Sequence, residues 1–239
     1  MTKILAWHFL KDDGSYCWGR GTPPPGGIET INVALRPLKL CCWGLHASRN
    51  ILDALEYAGG ALLRRVELSG EIREDGDKIC ASTRRELWRM DIADVLHEFG
   101  YWCAERVVKH LHKPCPQFVN TLFENALKAK WAWLRGECND ETLDKIRVSM
   151  QDVQANVFVK TTFLLDAVRA VEFAMWPRSV TVGRSASFFG RIAMAAQTRD
   201  YFATIDSEKE AQCRKLLRMI RKARKEKGEI LSPQGEISR

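Results

Sequence analysis

The stretch ALLRRVELSGEIREDGDKICASTRRELW, residues 61–88, contains two segments rich in β-forming residues on either side of a polar turn. ALLRRVELSGEI and KICASTRRELW flank REDGDK, whose Asp-Gly pair is typical of a hairpin turn. The pattern therefore predicts a β-hairpin and makes the first part of the chain rich in β-structure.

Two further strands are predicted before the hairpin. KILAWHFL, residues 3–10, consists largely of β-forming residues and ends at a cluster of turn residues. IETINVAL, residues 28–35, alternates apolar and polar residues over its first half, which predicts a half-buried strand up to Pro37. The intervening GRGTPPPGG predicts a loop with a stiff, extended middle.

One helix is predicted between these strands and the hairpin. It begins after Ser48 or Asn50, either of which can cap a helix N-terminus, and it ends at Ala58 before a Gly-Gly pair. With the strands around it, this helix predicts a small α+β module over residues 1–90.

After Asp91 the hydrophobic period changes to that of helices. Apolar residues such as Ile92, Val95 and Phe99 recur at spacings of three and four, and Pro or Gly marks the connections. We predict an all-α bundle of four to six helices over residues 91–228, ending in a basic helix, and a flexible tail over 229–239. The predicted fold class is α+β, a small β-rich module with one helix followed by a helical bundle.

The composition is that of a globular protein, with 46% hydrophobic and 28% charged residues. No apolar run approaches the ~20 residues that span a bilayer, and the N-terminus lacks the pattern of a signal peptide. We therefore predict a cytoplasmic protein with no membrane partner, located in the host cytoplasm if a phage encodes it. The oligomeric state is left open.

Eight cysteines in such a protein are expected to be reduced thiols. Cys103, His110, His112 and Cys115 are all zinc-ligand types, but their spacing fits one helix face poorly. We predict no metal site, and a zinc site at these four residues is the alternative.

The net charge of +7 is concentrated near the C-terminus. Between Lys209 and Lys227 nine basic residues stand against two acidic ones, so the rest of the chain is neutral. This density indicates either a solvated helix face or a surface for nucleic acid, an acidic protein or, less favoured, a membrane. The candidate binding residues are Arg214, Lys215, Arg218, Arg221, Lys222 and Lys225.

His46 is the first candidate for chemistry, because it lies in a predicted turn before a helix N-terminus. Free backbone N–H groups there favour an anion, and an imidazole beside Ser48 and Trp43 suits a phosphate or acid–base role. The alternative is that His46 hydrogen-bonds a neighbouring backbone group and Ser48 only caps the helix.

His8 and Glu67 are further candidates on predicted strands. If Trp7 and Phe9 face the core, His8 points to the other side of its sheet. Glu67 points away from Val66 and Leu68, so we predict that His8, His46 and Glu67 converge on one concave side.

Four motifs resemble a phage and prophage domain family whose function is not established. They are a Cys-x-x-Gly-x-His-Ala turn ending at Ala47, the helix core Asp53–Tyr57, the strand Val66–Glu71 and the turn Asp75–Lys78. The resemblance implies a phage or prophage accessory protein.

The order of a strand with His, a helix with Tyr and a strand with Glu also resembles small ADP-ribosyltransferases. That resemblance implies His8, Tyr57 and Glu67 as catalytic positions and NAD as the ligand, although Glu-x-Glu and Ser-Thr-Ser elements are absent.

Two functional hypotheses follow. The first is an accessory binding protein, without a cofactor, that engages a host protein or nucleic acid through the basic helix, with counter-defence as a role that the phage-type resemblance suggests. The alternative is an ADP-ribosyltransferase-like or NAD- or nucleotide-binding protein, and the sequence does not establish whether the protein is an enzyme.

Overall fold

The computed structural model describes residues 2–19, 21–111, 115–156, 162–198 and 200–228. The chain divides into two compact units, Met1–Ala93 together with the residues from Leu217 onwards, and Asp94–Leu216. The predicted bounds 1–90 and 91–228 stay a prediction, since the residues after Leu217 group with the N-terminal unit. The predicted flexible tail, 229–239, lies outside the described residues.

The described part of the first unit contains an antiparallel sheet and a short helix. Its elements are β1 (Ile4–Leu10), β2 (Ile28–Thr30), β3 (Leu45–Ala47), α1 (Ile51–Glu56), β4 (Leu62–Asp75) and β5 (Lys78–Asp91). Helices follow, namely α2 (Ala93–Lys109), α3 (Gln117–Leu134), α4 (Asp140–Asn156), α5 (Thr162–Ala174), α6 (Ser179–Ala195) and α7 (Tyr201–Glu226). The α+β class is confirmed, whereas the bundle arrangement of the helices stays a prediction.

β4 and β5 form the predicted hairpin, and this hairpin is the centre of the sheet. β1 pairs with the outer edge of β4, while β2 and β3 both pair with β5, all antiparallel. The β4–β5 pairing is irregular between Ser69 and Ile72, where Gly70 has a φ of +80° and a Cβ would lie 2.2 Å from Ser82 Oγ. Only glycine fits this bulge, because a larger residue would be strained and would clash.

The predicted strand up to Pro37 is wrong beyond Thr30. β2 ends there, because Asn32 Oδ1 accepts a hydrogen bond from the Ala34 N–H at 3.0 Å and turns the chain. Such a local side-chain bond offers the backbone an alternative to the ladder.

The sheet curls so that the end of β3 returns to β1. The N–H of Trp7 donates to the Ser48 carbonyl at 2.8 Å, and the N–H of Ser48 donates to the Trp7 carbonyl at 3.0 Å. A buried cluster fills the inner face, formed by Ile4, Ala6, Ala47, Val66, Leu68, Ile79 and Ala81. The curled sheet thus has a filled apolar part and, as described below, an open polar part.

Helix α1 begins where the sequence predicts. Asn50 caps it, since its Oδ1 accepts from the Leu52 N–H at 2.8 Å. The apolar side, including Ile51, Leu52 and Leu55, is buried.

The second unit consists of helices in its described residues, and small side chains allow some of them to pack closely. A Cβ on Gly100 in α2 would lie 2.1 Å from Val182 Cγ1 in α6. Polar contacts join other helices, such as Arg106 to Glu208 at 2.8 Å and Ser187 Oγ to Gln212 Oε1 at 2.6 Å. None of the described helices is long and apolar enough to cross a bilayer.

Lys130 is a buried cation in this unit, with 0% of its surface exposed. Its Nζ lies 3.2 Å from His97 Nδ1 and 3.9 Å from the Trp133 ring centroid. Burial lowers the pKa of Lys130 to about 7, and the nearby charge of Asp140 offsets only part of that effect. A cation in this position costs stability because few groups replace its water.

We predict that Lys130→Met stabilises the protein by roughly 1–3 kcal/mol at pH 7, the range seen when buried ionic groups are replaced by apolar ones. The unfolded lysine keeps the ordinary pKa of 10.5. The destabilisation by the buried charge is therefore complete below about pH 7 and disappears as the pH rises to 10.5. The stabilisation by Lys130→Met should decrease over the same range.

Urea unfolding at pH 7 and pH 10 measures this gain. Lys128→Met is the matched control, since the Lys128 side chain is 76% exposed and its replacement should change little. A destabilised Lys130→Met, or a gain independent of pH, would contradict the assignment.

Candidate functional site

A cavity of about 680 Å³ opens in the first unit between β1, the segment after it, the turn before β3, α1 and β5. Five of the sequence-predicted site residues line it: His8, Trp43, His46, Ser48 and Tyr57. These five residues come from three parts of the chain, namely β1, residues 43–48 and the residue that follows α1.

Glu67 is not among the residues that line the cavity. In the β1–β4 ladder Glu67 is opposite Leu5, whereas His8 is opposite Arg64, three residues away on β4. Because successive side chains alternate between faces, Glu67 and His8 lie on opposite faces of the sheet. Glu67 pairs with Lys3 at 3.0 Å, and the predicted convergence of His8, His46 and Glu67 is wrong for Glu67.

The polar wall of the cavity rests on a buried ionic network that the sequence reasoning missed. Arg84 donates through Nε and Nη2 to both carboxylate oxygens of Glu29, each at 2.8 Å, and through Nη1 to the His46 carbonyl at 2.7 Å. Arg64, fully buried, lies 3.2 Å from both Glu29 and Glu86. Arg89 closes the network on Glu86 at 2.7 and 2.8 Å.

These contacts keep the network ionised. Burial alone would raise the pKa of Glu29, but the hydrogen bonds and charge of Arg84 outweigh burial and lower it to about 2. Burial likewise opposes ionisation of Glu86, and Arg89 more than compensates, so its pKa is lowered. The sequence contained a signal for this network, because RR at 64–65 and RRE at 84–86 interrupt apolar strands. Successive side chains of a strand point to opposite faces, so part of each charged run is buried.

His8 is neutral in this surrounding. Burial, followed by the charges of Arg84 and Arg64, lowers its pKa well below 6.5. The guanidinium of Arg64 can only donate, and its Nη2 lies 3.3 Å from His8 Nδ1, so Nδ1 accepts. The proton of the neutral ring is then on Nε2, which gives His8 one further N–H donor at the cavity wall.

His46 holds the turn that precedes β3. Its Nε2 accepts a hydrogen bond from the Cys41 N–H at 3.1 Å, and its ring also contacts the Gly44 backbone. Gly44 has a φ of +148°, and a Cβ there would lie 2.8 Å from Cys80 Cβ. The alternative structural role of His46 is thus present, while its ring still lines the cavity. Ser48 bridges to β1 by its backbone and is buried.

The rim of the cavity contains aromatic rings and the cation Lys78. The Lys78 Nζ lies 4.4 Å from the Tyr57 ring centroid and 3.3 Å from Cys41 Sγ. Tyr57 donates its hydroxyl to Asp77, and Trp18 is 85% exposed at the mouth.

The lining of the cavity carries charge of one sign. Its charged residues are the cations Arg84 and Lys78, and no aspartate or glutamate contributes to the wall in the described residues. Aromatic residues supply much of the remaining surface: Trp7, Phe9, Tyr16, Trp18, Trp43 and Tyr57. Such a wall favours an organic anion with a flat ring and offers no free carboxylate for acid–base work.

Among the described residues, no group of three or more His, Cys, Asp or Glu side chains is placed to hold a metal ion. Of the four possible zinc ligands, His112 lies outside that part of the chain, and Cys103 is buried, which raises its pKa strongly.

The predicted basic residues lie on α7, and the helix separates them into two classes. Arg214, Arg218, Arg221, Lys222 and Lys225 are exposed. Lys215 is half-buried with its Nζ 5.7 Å from the Trp102 ring centroid, and Arg214 pairs with Glu210 at 3.2 Å. Arg224 is buried, with its guanidinium carbon 4.0 Å from the Trp88 ring centroid.

Residues 26–98 match the family model of a domain of unknown function (DUF7666), which covers less than half of the chain. The matched segment includes the turn before β3, α1, β4 and β5, but not β1 with His8. No curated protein and no solved structure matches the chain. The expected similarity to a domain of unknown function is confirmed, and phage origin stays a prediction.

We predict that His46→Ala lowers the free energy of unfolding by about 0.5–1.5 kcal/mol, because the hydrogen bond from the exposed Cys41 N–H is lost. His46→Gln keeps an acceptor and a donor and should recover part of the loss. Urea unfolding followed by tryptophan fluorescence measures both, and an Ala variant as stable as the wild type would contradict the role of His46 in the turn.

The same residue should contribute to the pH dependence of stability. Burial and then the charge of Arg84 lower the pKa of His46 below the 6.5 of the unfolded chain. The folded state therefore binds fewer protons, and stability is lost as the pH falls below about 6.5. His46→Gln should reduce this loss between pH 7.5 and pH 5.

Proposed function

We propose that the first unit binds a small organic anion carrying an aromatic ring, a class that includes NAD and other nucleotides. The observation that carries the proposal is the one-sided lining of the cavity, with Arg84, Lys78 and several aromatic rings but no carboxylate. This is the nucleotide-binding alternative of the sequence analysis, without its catalytic part.

The anionic group has donors available in the wall. The contacts of Arg84 to Glu29 and His46 use three of the five guanidinium N–H groups, and we assign the other two to the anionic group of the ligand. His8 adds its Nε2–H, and Lys78 adds a second positive charge at the rim. Since Glu29 and His46 hold Arg84 in place, little side-chain entropy is lost when an anion binds.

The ring of the ligand has a place at the mouth. Trp18 exposes most of its surface there, and Tyr57 and Trp43 line the same opening. Stacking on such rings contributes about 1–3 kcal/mol for each base and accepts any flat aromatic group.

ADP-ribosyl transfer through His8, Tyr57 and Glu67 is not part of this proposal. Glu67 faces the other side of the sheet, and the nearest network carboxylate, Glu29, is held by Arg84 and Tyr16. We propose a binding role, for which NAD would be a ligand and not a cosubstrate.

We predict that AMP, ADP-ribose or NAD binds the wild-type protein in isothermal titration. Trp18→Ala and Lys78→Gln should each weaken binding roughly tenfold, about 1.4 kcal/mol, by removing a stacking ring or a charge. Neither change should unfold the protein, because both side chains lie at the rim.

Trp131→Ala and Lys39→Gln are the matched controls, since both residues are exposed and neither lines the cavity. No heat from any of the three ligands at millimolar concentration, or equal loss in the controls, would contradict the proposal.

A second candidate function belongs to α7. The chain would be a phage or prophage accessory protein that engages a host protein or nucleic acid in the host cytoplasm, as a means of counter-defence. The observation that favours it is the set of exposed cations Arg218, Arg221, Lys222 and Lys225 on one side of the helix. The phage setting itself is supported by the sequence motifs alone.

For this candidate we predict that changing Arg218, Arg221 and Lys222 together to Glu abolishes target capture from host lysate at low salt. Circular dichroism should show an unchanged helix content, because all three side chains are exposed. Capture that is unaffected by the three substitutions would contradict a role for α7.

A further inference from the structure

The exposed cations of α7 in the first unit form a continuous stripe. Arg218, Arg221, Lys222 and Lys225, here called the basic stripe, recur at spacings of three, four and seven residues. At about 100° per residue they lie within an arc of about 100°, and at about 1.5 Å per residue they span about 10 Å of the helix axis.

The buried side of the same helix fixes the direction of the stripe. Ile220 is 2% exposed, and Arg224 is buried against Trp88 at 4.0 Å. In a regular helix Ile220 lies about 150° and Arg224 about 110° from the centre of the stripe, so both are turned away from it. The rotation of α7 about its axis is thus set by packing, which directs the four cations to one side of the helix.

The stripe itself carries only positive charge. Its sequence, RMIRKARK over residues 218–225, contains no Ser, Thr, Asn or Gln, and the Nζ of Lys222 lies 3.6 Å from Glu226. Both side chains of that pair are mostly exposed, so a competing anion displaces the contact at little cost.

These features favour nucleic acid over a protein as the partner of the basic stripe. A protein interface has an apolar or aromatic centre with fully desolvated contacts, and the stripe offers none. A nucleic-acid backbone needs only cations, since binding is driven by release of condensed counterions. Phosphates of one duplex strand repeat every ~3.4 Å of axis, so about 10 Å of stripe faces about three of them.

We propose that the basic stripe binds the phosphate backbone of nucleic acid without sequence preference. The inference rests on the second candidate function and names its target class. Base readout is not expected, because the stripe presents no motif that enters a groove in a set register.

The test is fluorescence anisotropy with a labelled 20-base-pair duplex of arbitrary sequence between 25 and 200 mM salt. With three to four phosphate contacts, the plot of log K against log salt should have a slope of about −2.7 to −3.6. Arg218→Gln, Arg221→Gln and Lys222→Gln should each make the slope shallower by about 0.9. A second duplex of unrelated sequence should bind equally.

Lys145→Gln is the matched control, because the Lys145 side chain is 73% exposed and lies on α4. Its slope should equal that of the wild type. A wild-type slope near zero, or equal slopes for the stripe variants and the wild type, would overturn the inference.

Failure of this inference can be told from failure of the second candidate function. If nuclease-treated lysate still yields a target that the Glu variant loses, while the duplex does not bind, the partner is a protein and the nucleic-acid inference is wrong. If the Glu variant retains both the lysate target and the duplex, both proposals are wrong.

Discussion

The buried ionic network of Arg64, Arg84, Glu29 and Glu86 is the constraint on which the site depends. Each of these charges would be costly in a partly dry sheet interior if it stood alone, and each is paired with at least one opposite charge. The pairs join β2, β4 and β5, so the network is complete only when all three strands are in register. The apolar cluster fills one part of the curled sheet and the network fills the other.

The properties of the cavity follow from that network. Glu29 neutralises part of the positive charge and holds Arg84 so that it lines the cavity, while burial and then the charges of Arg84 and Arg64 lower the pKa of His8. His46 holds the turn before β3, and its carbonyl accepts a hydrogen bond from Arg84 Nη1. One arginine therefore links the strand ladder, the turn and the wall of the cavity.

Local patterns predicted the hairpin, a cap of α1 at Ser48 or Asn50 and the change to helices after Asp91, because each depends on neighbouring residues. The network was missed since Glu29 lies 35 residues from Arg64 and 55 from Arg84, and only the ladder brings them together. The alternation of side chains along a strand correctly placed Glu67 on the face opposite Val66 and Leu68. Which of these two faces His8 shares depends on the register of β1 on β4. Strand register is set by long-range pairing that one sequence does not display.

Binding of a ring-bearing anion in the cavity can be followed by NMR of the tryptophan side chains. With 15N-labelled indoles and saturating AMP, the account predicts that the N–H resonances of Trp18 and Trp43 shift, since both line the cavity. Those of Trp131 and Trp133 in the second unit should stay in place. Unmoved Trp18 and Trp43 resonances at millimolar AMP, or shifts confined to the second unit, would contradict the account.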